Sequence, residues 1–338
     1  MLGVVYEHPE WFVPLFAELD RRGVPYRRVL ADHLEFAPDQ GESEFALVFN
    51  RMSPSAYLRG HKRAIFGAQH YLAYLERLGV PTINGLPAYT LEVSKARQLQ
   101  LLAQLDLPAP GTRVVNATEM LTLAAQQLEF PVIVKPNVGG SGARMRRFDT
   151  QAELHDATEG DELEDLFEID GTALVQEYHP PIGGSIVRVE VLDGQFLYAI
   201  RIYNDPNDGF NLCPADICQV PEESLDFCPA DIPAKPGRKI EAVTPPDWVV
   251  DSVLRIAEAG HLDLGGVEYL ESDRDGQLYF YDINALSNFV TDAPNLVGFD
   301  PFERLGALVE RRLRAAYARE PGHGAKALSG LATPRRLG

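Results

Sequence analysis

A lysine and a glycine-rich turn lie side by side near the middle of the chain. The apolar residues Val132, Ile133 and Val134 read as a buried strand that ends on Lys135, and the turn NVGGSG follows at 137–142. Residues with little side-chain bulk allow backbone amides to surround an anion, and a lysine supplies a point charge beside it. The stretch predicts a phosphate site. A hairpin turn beside a solvated lysine is the alternative that this motif leaves open when it is taken alone.

Three oxygen-bearing side chains interrupt two apolar strands nearer the C-terminus. The stretch 264–289 reads as two strands around an Asp-Gly turn at 275–276, and its polar exceptions are Glu268, Asp282 and Asn284. Paired strands would bring these oxygens together. Two carboxylates and an amide suit Mg²⁺, with Mn²⁺ as a possible substitute, and phosphates would complete the octahedron. Because carboxylates in apolar strands are costly to bury unless they are paired or metal-bound, the pattern favours a metal site.

Polar groups also follow two other predicted strands. The strand at 173–178, ALVQEY, could pair its backbone with the edge of an adenine, and Glu177 could accept hydrogen bonds from the base or the ribose. The strand at 45–49 runs into Arg51 and Ser53. Because ligands of open α/β sheets gather at the carboxyl ends of strands, these two residues are candidates for binding a small acid. An ordinary polar loop is the alternative.

One arginine lies on a predicted hairpin. The stretches 186–192 and 195–203 alternate regularly around an Asp-Gly turn, and period-two spacing puts Arg188 and Glu190 on one face. A guanidinium offers paired donors in one plane, so we expect Arg188 to bind a carboxylate or a phosphate. The alternative is an exposed pair with Glu190, which would be worth only about 0 to 1 kcal/mol.

The elements that must position these residues are typical of an α/β protein. A strand at 2–6, an amphipathic helix at 11–22 and a strand at 26–30 begin an open α/β layer. No GxGxxG motif follows the first strand, so a dinucleotide site is not expected there. Further strands are predicted at 80–83 and 112–115, and helices at 62–78, 90–105, 117–128, 248–259 and from 301 to about 318. Lys95 lies near the start of the helix at 90–105, and Thr118 is the expected cap of the next helix.

Composition excludes several classes of protein. The net charge of −18 argues against broad contact with nucleic acid or an anionic membrane, and no run approaches the ~20 apolar residues of a membrane span. No signal peptide is recognised, so a cytoplasmic protein is expected. Cys213, Cys218 and Cys228 are an odd number without CxxC spacing, which favours neither a disulfide framework nor a four-cysteine zinc site. The oligomeric state is left open, with a homodimer or a tetramer as the expected possibilities.

Taken together, these segments resemble the ATP-grasp superfamily over about 80–289, and within it most closely the ribosomal-protein glutamate ligases and the glutathione synthetases. The resemblance implies an ATP-grasp fold of α/β lobes: an N-terminal open α/β domain at 1–90, a central unit at 91–178 with a mobile lid at about 112–171, and a C-terminal unit at 179–318 with the metal site. A flexible tail is expected at 319–338.

The resemblance also implies roles for individual residues. Lys95 and Lys135 would hold the ATP phosphates, with Lys135 and Arg188 taking part in catalysis. The other nucleotide contacts would be the loop Gly139, Gly140, Ser141 and Gly142 and the hinge Gln176, Glu177 and Tyr178. Glu268, Asp282 and Asn284 would bind magnesium. Candidate substrate residues are Arg51, Ser53, Arg201 and Asn211.

The function that the resemblance implies is an ATP-dependent carboxylate-amine ligase, which activates an acid as an acylphosphate and releases ADP. It would join the carboxylate of a small amino acid or peptide-like substrate to an amine. A small-molecule kinase and a non-catalytic ATP-binding regulatory protein are the alternatives. The chain departs from the family after Asn284, where ALSNF stands in place of small residues or proline, and in having glutamate before aspartate among the metal ligands. Both changes keep the metal set intact and leave the acceptor open.

Overall fold

The N-terminal part of the chain folds around a parallel sheet. The computed structural model describes residues 1–8, 10–140, 142–203 and 239–319. Four strands pair in parallel in the order β2-β1-β3-β4: β1 (Leu2–Tyr6), β2 (Tyr26–Leu30), β3 (Leu47–Arg51) and β4 (Thr82–Ile83). Helices α1 (Val13–Arg21) and α2 (Lys62–Arg77) belong to the same domain. Strands β1 and β3 are buried along their whole length, as apolar strands of a covered parallel sheet should be.

A smaller antiparallel sheet follows. Its order is β5-β8-β6-β7, with β5 (Thr112–Val115), β6 (Val132–Pro136), β7 (Arg146–Phe148) and β8 (Ala173–Glu177). Helices α5 (Met120–Ala125) and α6 (Gln151–Glu159) pack on each other beside it. Between this sheet and the N-terminal one lie α3 (Leu86–Glu92) and α4 (Lys95–Gln104) in the sequence. The predicted glycine turn leaves β6 at Pro136 and returns as β7, so it lies at one end of this sheet.

The third sheet has five strands in the order β11-β10-β9-β12-β13. They are β9 (Ser185–Leu192), β10 (Gln195–Tyr203), β11 (Ile240–Ala242), β12 (Leu264–Glu271) and β13 (Leu278–Asn284), accompanied by α7 (Asp247–Ala259), α8 (Ala293–Val297) and α9 (Pro301–Arg319). One face buries Val187, Val189 and Val191 against α7. The alternate residues of β9 face the other way, where Ile186 joins the core of the N-terminal domain. That second face carries Arg188.

Three predicted elements are corrected by the structure. The single helix at 90–105 is wrong, because the chain is extended at Ser94, whose hydroxyl accepts a hydrogen bond from Arg97 N at 3.3 Å and starts a second helix. Thr118 is not a helix cap, since α5 begins later, at Met120. The strand predicted at 45–49 lies two residues further along, which makes Arg51 its last residue rather than part of a loop.

Some residues named in the sequence analysis are not among those that the structure describes. Asn211, the three cysteines, Ser141 and the segment 320–338 lie outside the described residues. The domain boundaries, the mobility of the lid and the cytoplasmic location stay predictions. Within the described ranges, no helix is long and apolar enough to cross a membrane.

Candidate active site

A cavity of about 620 Å³ lies where the three sheets meet. Its volume is in the usual range for small-molecule sites. Most of the predicted site residues line it: Ser53, Lys95, Lys135, Gly139, Gly140, Gly142, Gln176, Glu177, Tyr178, Arg188, Glu268, Asp282 and Asn284. The fold therefore brings together side chains from all three parts of the chain, and the cavity is the candidate active site.

Lys95 is the first residue of α4, and the neighbouring loop fixes its backbone. Asn137, which follows β6, accepts hydrogen bonds through Oδ1 from Ala96 N at 2.9 Å and from the Ser94 hydroxyl at 3.1 Å. Its carbonyl accepts from Lys95 N at 3.2 Å. These bonds cap the start of the helix and tie it to the glycine turn. Ser94 and Asn137 are far apart in the sequence, so their contact could not be predicted before the tertiary structure was known.

Lys135 projects from β6 into the same cavity and is almost completely buried. Its ammonium donates a hydrogen bond to Gln176 Oε1 at 2.8 Å. Burial, with a smaller contribution from the Lys95 charge, lowers the pKa of Lys135 to about 7. An anionic ligand in the cavity would stabilise the charged form of this buried lysine, because the ligand would supply a negative charge that the surrounding side chains provide only weakly.

The glycine turn packs against the N-terminal domain. Gly142 has φ +69°, a left-handed conformation that glycine adopts without strain. A Cβ at Gly140 would come within 3.0 Å of Ser55 Cβ, so the backbone of the turn lies directly on the loop after β3. Nearby, the guanidinium of Arg144 lies 5.2 Å from the Tyr57 ring. The turn thus forms a wall of the cavity together with the N-terminal domain.

The hinge residues Gln176, Glu177 and Tyr178 also line the cavity. The amides of Glu177 and Tyr178 donate to the carbonyls of Gly111 and Pro131 at 2.8 and 2.9 Å, so these two N–H groups are already used. Glu177 Oε1 accepts from the amide of Glu129 at 2.9 Å. Base recognition by this segment would therefore depend on other groups than those two amides.

His179 is a cavity residue that the sequence analysis missed. Its ring packs against Tyr279 with centroids 4.2 Å apart, and Nδ1 makes a 2.9 Å hydrogen bond with Ser272 Oγ. Burial lowers the pKa of His179. The histidine directly follows the VQEY segment, so its position in the sequence was the only available signal.

The three candidate metal ligands meet as the paired strands predict. In the register of β12 and β13, Glu268 lies opposite Asp282, and Asn284 lies two residues further on the same face. Asp282 Oδ1 accepts from Lys95 Nζ at 2.6 Å, and Oδ2 accepts from Asn284 Nδ2 at 3.2 Å. Burial alone would raise the pKa of the Asp282 carboxyl, but Lys95, Lys135 and the hydrogen bond from Asn284 together outweigh burial and hold this pKa below its ordinary value.

Glu268 has cationic and hydroxyl partners of its own. Its Oε1 accepts from Arg188 Nη1 at 3.0 Å and its Oε2 from the Tyr281 hydroxyl at 2.9 Å. Burial raises the pKa of Glu268, although Arg188 opposes the shift. Glu92 forms another part of the wall, and it accepts hydrogen bonds from the amides of Ala285 and Leu286. Burial raises the pKa of Glu92 to about 7.

The donor set fits a hard divalent cation that is shared with a phosphate. Two carboxylates and one amide oxygen, on two neighbouring strands, are the ligand types that Mg²⁺ takes from proteins. Among the described residues, no three histidine, cysteine, aspartate or glutamate side chains could hold a metal ion. Asn284 and ligand oxygens would have to complete the coordination. Lys95 and Asp282 are now paired with each other. If a cation bound to Asp282 and an anion bound to Lys95, each side chain would replace its present partner with a ligand of the same charge as that partner.

Arg188 is buried rather than exposed. Its Nε donates to Glu190 Oε1 at 2.6 Å, and its Nη1 donates to Glu268 as described above. The pair with Glu190 does exist, but both residues are buried, so the interpretation as a surface pair is wrong. Arg188 lines the cavity and Glu190 does not belong to its wall.

The end of the cavity nearest the N-terminal domain carries hydroxyl and aromatic groups. Ser53 and Ser55 line it, and their hydroxyls are 2.8 Å apart. Arg59 donates to Ser55 Oγ at 3.2 Å and to the buried Glu7 carboxylate at 2.6 Å. The Arg59 guanidinium also lies 4.4 Å from the ring centroid of Trp11, another wall residue. Of these residues, only Ser53 was a candidate from the sequence, because it follows β3. Trp11 and Arg59 reach this part of the cavity through tertiary packing, which no local motif indicates.

Two candidate substrate residues lie outside the cavity wall. Arg51 is 1% exposed, and its Nη2 donates to Ser287 O at 2.6 Å and to Asn288 Oδ1 at 3.0 Å. It therefore supports the loop after β13, which lines the cavity, and burial lowers its pKa to about 9. Arg201 pairs with Val187 in the sheet register, so it lies on the opposite face from Arg188, where it donates to Ser185 Oγ at 3.0 Å. The expectation of direct substrate contact is not supported for either arginine.

Comparisons with known proteins agree with this geometry. Residues 93–211 match the family described as the RimK-like ATP-grasp domain. The D-alanine–D-alanine ligase of Hydrogenovibrio crunogenus is 33% identical over 134 residues, which are 39% of this chain and 40% of that ligase. The corresponding ligase of Pseudomonas entomophila is 31% identical over 168 residues, 49% of this chain and 50% of that one. The chain thus matches half or less of the length of these relatives.

Solved structures resemble the chain over nearly its whole length. The ATP-grasp ligase PsnB complexed with a minimal precursor aligns with a TM-score of 0.62 and 22% identity, over 92% of this chain and 98% of that one. The D-cycloserine synthetase DcsG gives 0.64 and 18%, over 92% and 99%. The D-alanine–D-alanine ligase of Bacillus anthracis complexed with ATP gives 0.63 and 17%, over 94% and 99%. The resemblance noted in the sequence is confirmed at the level of the fold: the chain has the ATP-grasp fold, and its residues 93–211 match the RimK-like ATP-grasp domain.

Proposed function

We propose that the chain is an ATP-dependent carboxylate-amine ligase. It would activate an amino acid or a peptide-like acid as an acylphosphate and join it to an amine, with release of ADP and phosphate. The observation that carries the proposal is that Lys95, Lys135, Asp282, Asn284 and Arg188 surround one cavity. The names of the similar proteins, which are ligases of D-alanine and an ATP-grasp ligase with a peptide precursor, support the class of substrate.

The two lysines and the glycine turn would bind the triphosphate of ATP. Lys95 and Lys135 line the cavity and would supply positive charge, and the amides of the turn would supply hydrogen bonds. Phosphoryl transfer depends mainly on positioning and on charge stabilisation, which such an arrangement provides. When Lys95 turns to a phosphate, Asp282 loses its present partner and becomes available as a ligand.

Glu268, Asp282 and Asn284 are the residues that would hold magnesium. A bound Mg²⁺ supplies charge neutralisation at the transferring phosphoryl group. Arg188 borders this site and would bind the carboxylate of the acid or the acylphosphate formed from it. The end of the cavity lined by Trp11, Ser53 and Ser55 is then left for the acceptor.

A trapping assay tests the proposal. The protein is incubated with ATP, Mg²⁺, mixtures of carboxylic acids and hydroxylamine, and both ADP and hydroxamate are measured. A ligase gives acid-dependent ADP together with hydroxamate, since hydroxylamine captures the acylphosphate. A kinase acting on a hydroxyl group gives ADP and a stable phosphorylated product without hydroxamate, and a regulatory protein gives neither. Asp282→Asn should abolish the signal, and Arg201→Ala, on the opposite face of the sheet, should keep it.

A further inference from the structure

Arg188 is held in place by a residue behind the cavity wall. Glu190 is completely buried, and its Oε1 accepts a 2.6 Å hydrogen bond from Arg188 Nε. We propose that Glu190 is a positioning residue, which fixes the guanidinium of Arg188 in the orientation needed to bind the substrate carboxylate. The inference rests on the proposed ligase function, because that function gives Arg188 its role.

Gly266 provides the space in which the guanidinium lies. It is opposite Glu190 in the register of β12 and β9, and a Cβ built on it would be 2.5 Å from Arg188 Nε and 2.6 Å from Nη2. No real Cβ approaches other atoms so closely, so any side chain at this position would displace the guanidinium. The guanidinium of Arg188 therefore lies beside Gly266 of β12 and donates hydrogen bonds to both Glu190 and Glu268.

Substrate binding should affect the two carboxylates beside Arg188 differently, because only one of them lines the cavity. Glu268 lines the cavity and belongs to the proposed metal set, so a bound cation would compete with Arg188 for its charge. Glu190 is outside the wall and keeps its bond to Arg188 in either state. A buried guanidinium without a charged partner is costly, so Glu190 is the group that can keep Arg188 in place while Glu268 changes partners.

The unpaired oxygen of Glu190 supports a role beyond packing. Its Oε2 is buried and has no hydrogen-bond partner among the described residues. A buried polar atom without a partner costs stability, and such atoms in native structures often have a functional reason. A glutamine could also accept a hydrogen bond from Arg188 Nε, but a neutral acceptor holds a guanidinium more weakly than a carboxylate does, so we infer that the negative charge matters at this position.

Kinetics of Glu190→Gln and Gly266→Ala test this role. Glu190→Gln keeps the side-chain volume and an acceptor oxygen but removes the charge. We expect the Kd of MgATP to change by no more than about twofold, while KM for the carboxylic acid rises by at least about tenfold, equal to about 1.4 kcal/mol. Gly266→Ala should change the same constant in the same direction. Unchanged KM and kcat in Glu190→Gln would overturn the proposal.

Val191→Ala is the matched structural control. Val191 is the next residue on β9, is fully buried and faces α7 rather than Arg188. We expect this variant to lose stability and to keep KM and kcat within about twofold of the parent. An equal rise of KM in Val191→Ala would show that any weakening of β9 has this effect, and would refute a specific role for Glu190.

An NMR measurement separates this inference from the proposed function. The Nε–H resonance of Arg188, assigned by its absence in Arg188→Lys, should exchange slowly with water in the parent and at least about tenfold faster in Glu190→Gln, because the neutral acceptor is weaker. No turnover is needed. A parent without acid-dependent ADP release refutes the ligase proposal while the resonance still reports on positioning. Unchanged exchange in Glu190→Gln refutes the positioning role even if the ligase reaction is found.

Discussion

The two lysines of the candidate phosphate site should affect stability in opposite directions when each is replaced by methionine. Nearby negative charge offsets the burial of Lys135 only in part, so burial lowers the pKa of Lys135 from an ordinary 10.5 to about 7. Lys95 has a carboxylate partner in Asp282, which outweighs burial and raises its pKa. We expect Lys135→Met to stabilise the folded protein at pH 7 and Lys95→Met to destabilise it.

The size of the Lys135 effect follows from the linkage of protonation to folding. The lowering of the Lys135 pKa from 10.5 to about 7 corresponds to about 4 kcal/mol of lost stability at pH 7, because the unfolded chain binds the proton more tightly. The loss falls to about 2 kcal/mol at pH 9, where the unfolded lysine is itself less favourably protonated. Methionine also leaves Gln176 Oε1 without its donor, at a cost of about 1 to 3 kcal/mol. The net gain is therefore about 1 to 3 kcal/mol at pH 7 and close to zero at pH 9.

The Lys95 effect has a different dependence on pH. A folded pKa above the unfolded one contributes stability that is fully present below pH 10.5 and is lost only as the pH rises through the folded value. Its loss should therefore be the same at pH 7 and pH 9. The side chains of Lys95 and Asp282 keep 15% and 21% of their exposure, so we expect the lower end of the range for buried pairs, about 3 kcal/mol.

Urea unfolding at pH 7 and pH 9, followed by tryptophan fluorescence and far-UV circular dichroism, measures all three proteins. Calorimetric titration with MgATP checks that both variants lose nucleotide affinity. A Lys135→Met protein less stable than the parent at pH 7 would refute the reasoning, and so would a gain that does not shrink by pH 9. The expected result would mean that Lys135 in the candidate phosphate site lowers the free energy of unfolding of the protein without ligand. A bound nucleotide would raise this free energy again.

Three further outcomes are expected. Asp282→Asn and Asn284→Ala should each abolish magnesium-dependent ADP release and leave the far-UV circular dichroism spectrum unchanged, because each removes a proposed metal ligand from a hairpin that stays folded. Gly140→Ala should weaken MgATP binding, measured by calorimetry, since its Cβ would meet Ser55 Cβ at 3.0 Å and push the turn outward. Arg201→Ala should leave KM and kcat within about twofold of the parent, because Arg201 lies on the face of the sheet opposite Arg188 and the cavity.

The sequence could predict that the candidate nucleotide residues lie together, because short segments of the chain carry the signals for them. A lysine at the end of a β-branched run, a glycine turn and polar residues on a hairpin each carry a local signal, and strand pairing converts period-two spacing into a shared face. Glu268, Asp282 and Asn284 meet for this reason. The helix predicted at 90–105 failed because apolar spacing continues across Ser94, although the side chain of Ser94 interrupts the helix.

The substrate residues were harder to predict because tertiary packing decides their roles. Arg51 ends a strand, as ligand-binding residues of open sheets often do, yet it is buried and donates to Ser287 and Asn288. Arg201 is a cation on the same hairpin as Arg188, but its side chain lies on the face of the sheet away from the cavity. Because successive side chains of a strand point to opposite faces, a difference of one position decides which face a residue occupies. Neither outcome could be read from charge or from spacing along the chain.

The choice of acceptor should be sought where the N-terminal domain meets the loop after β13. Trp11 and Ser55 come from one side, and Ser287 and Asn288 come from the other, in the ALSNF segment that departs from the family pattern. Arg51 connects the two sides, since it ends β3 and holds that loop by two hydrogen bonds. A change in either partner can therefore alter the acceptor end without moving Lys95, Lys135 or Asp282, so the fold can keep its nucleotide chemistry while its acceptor changes.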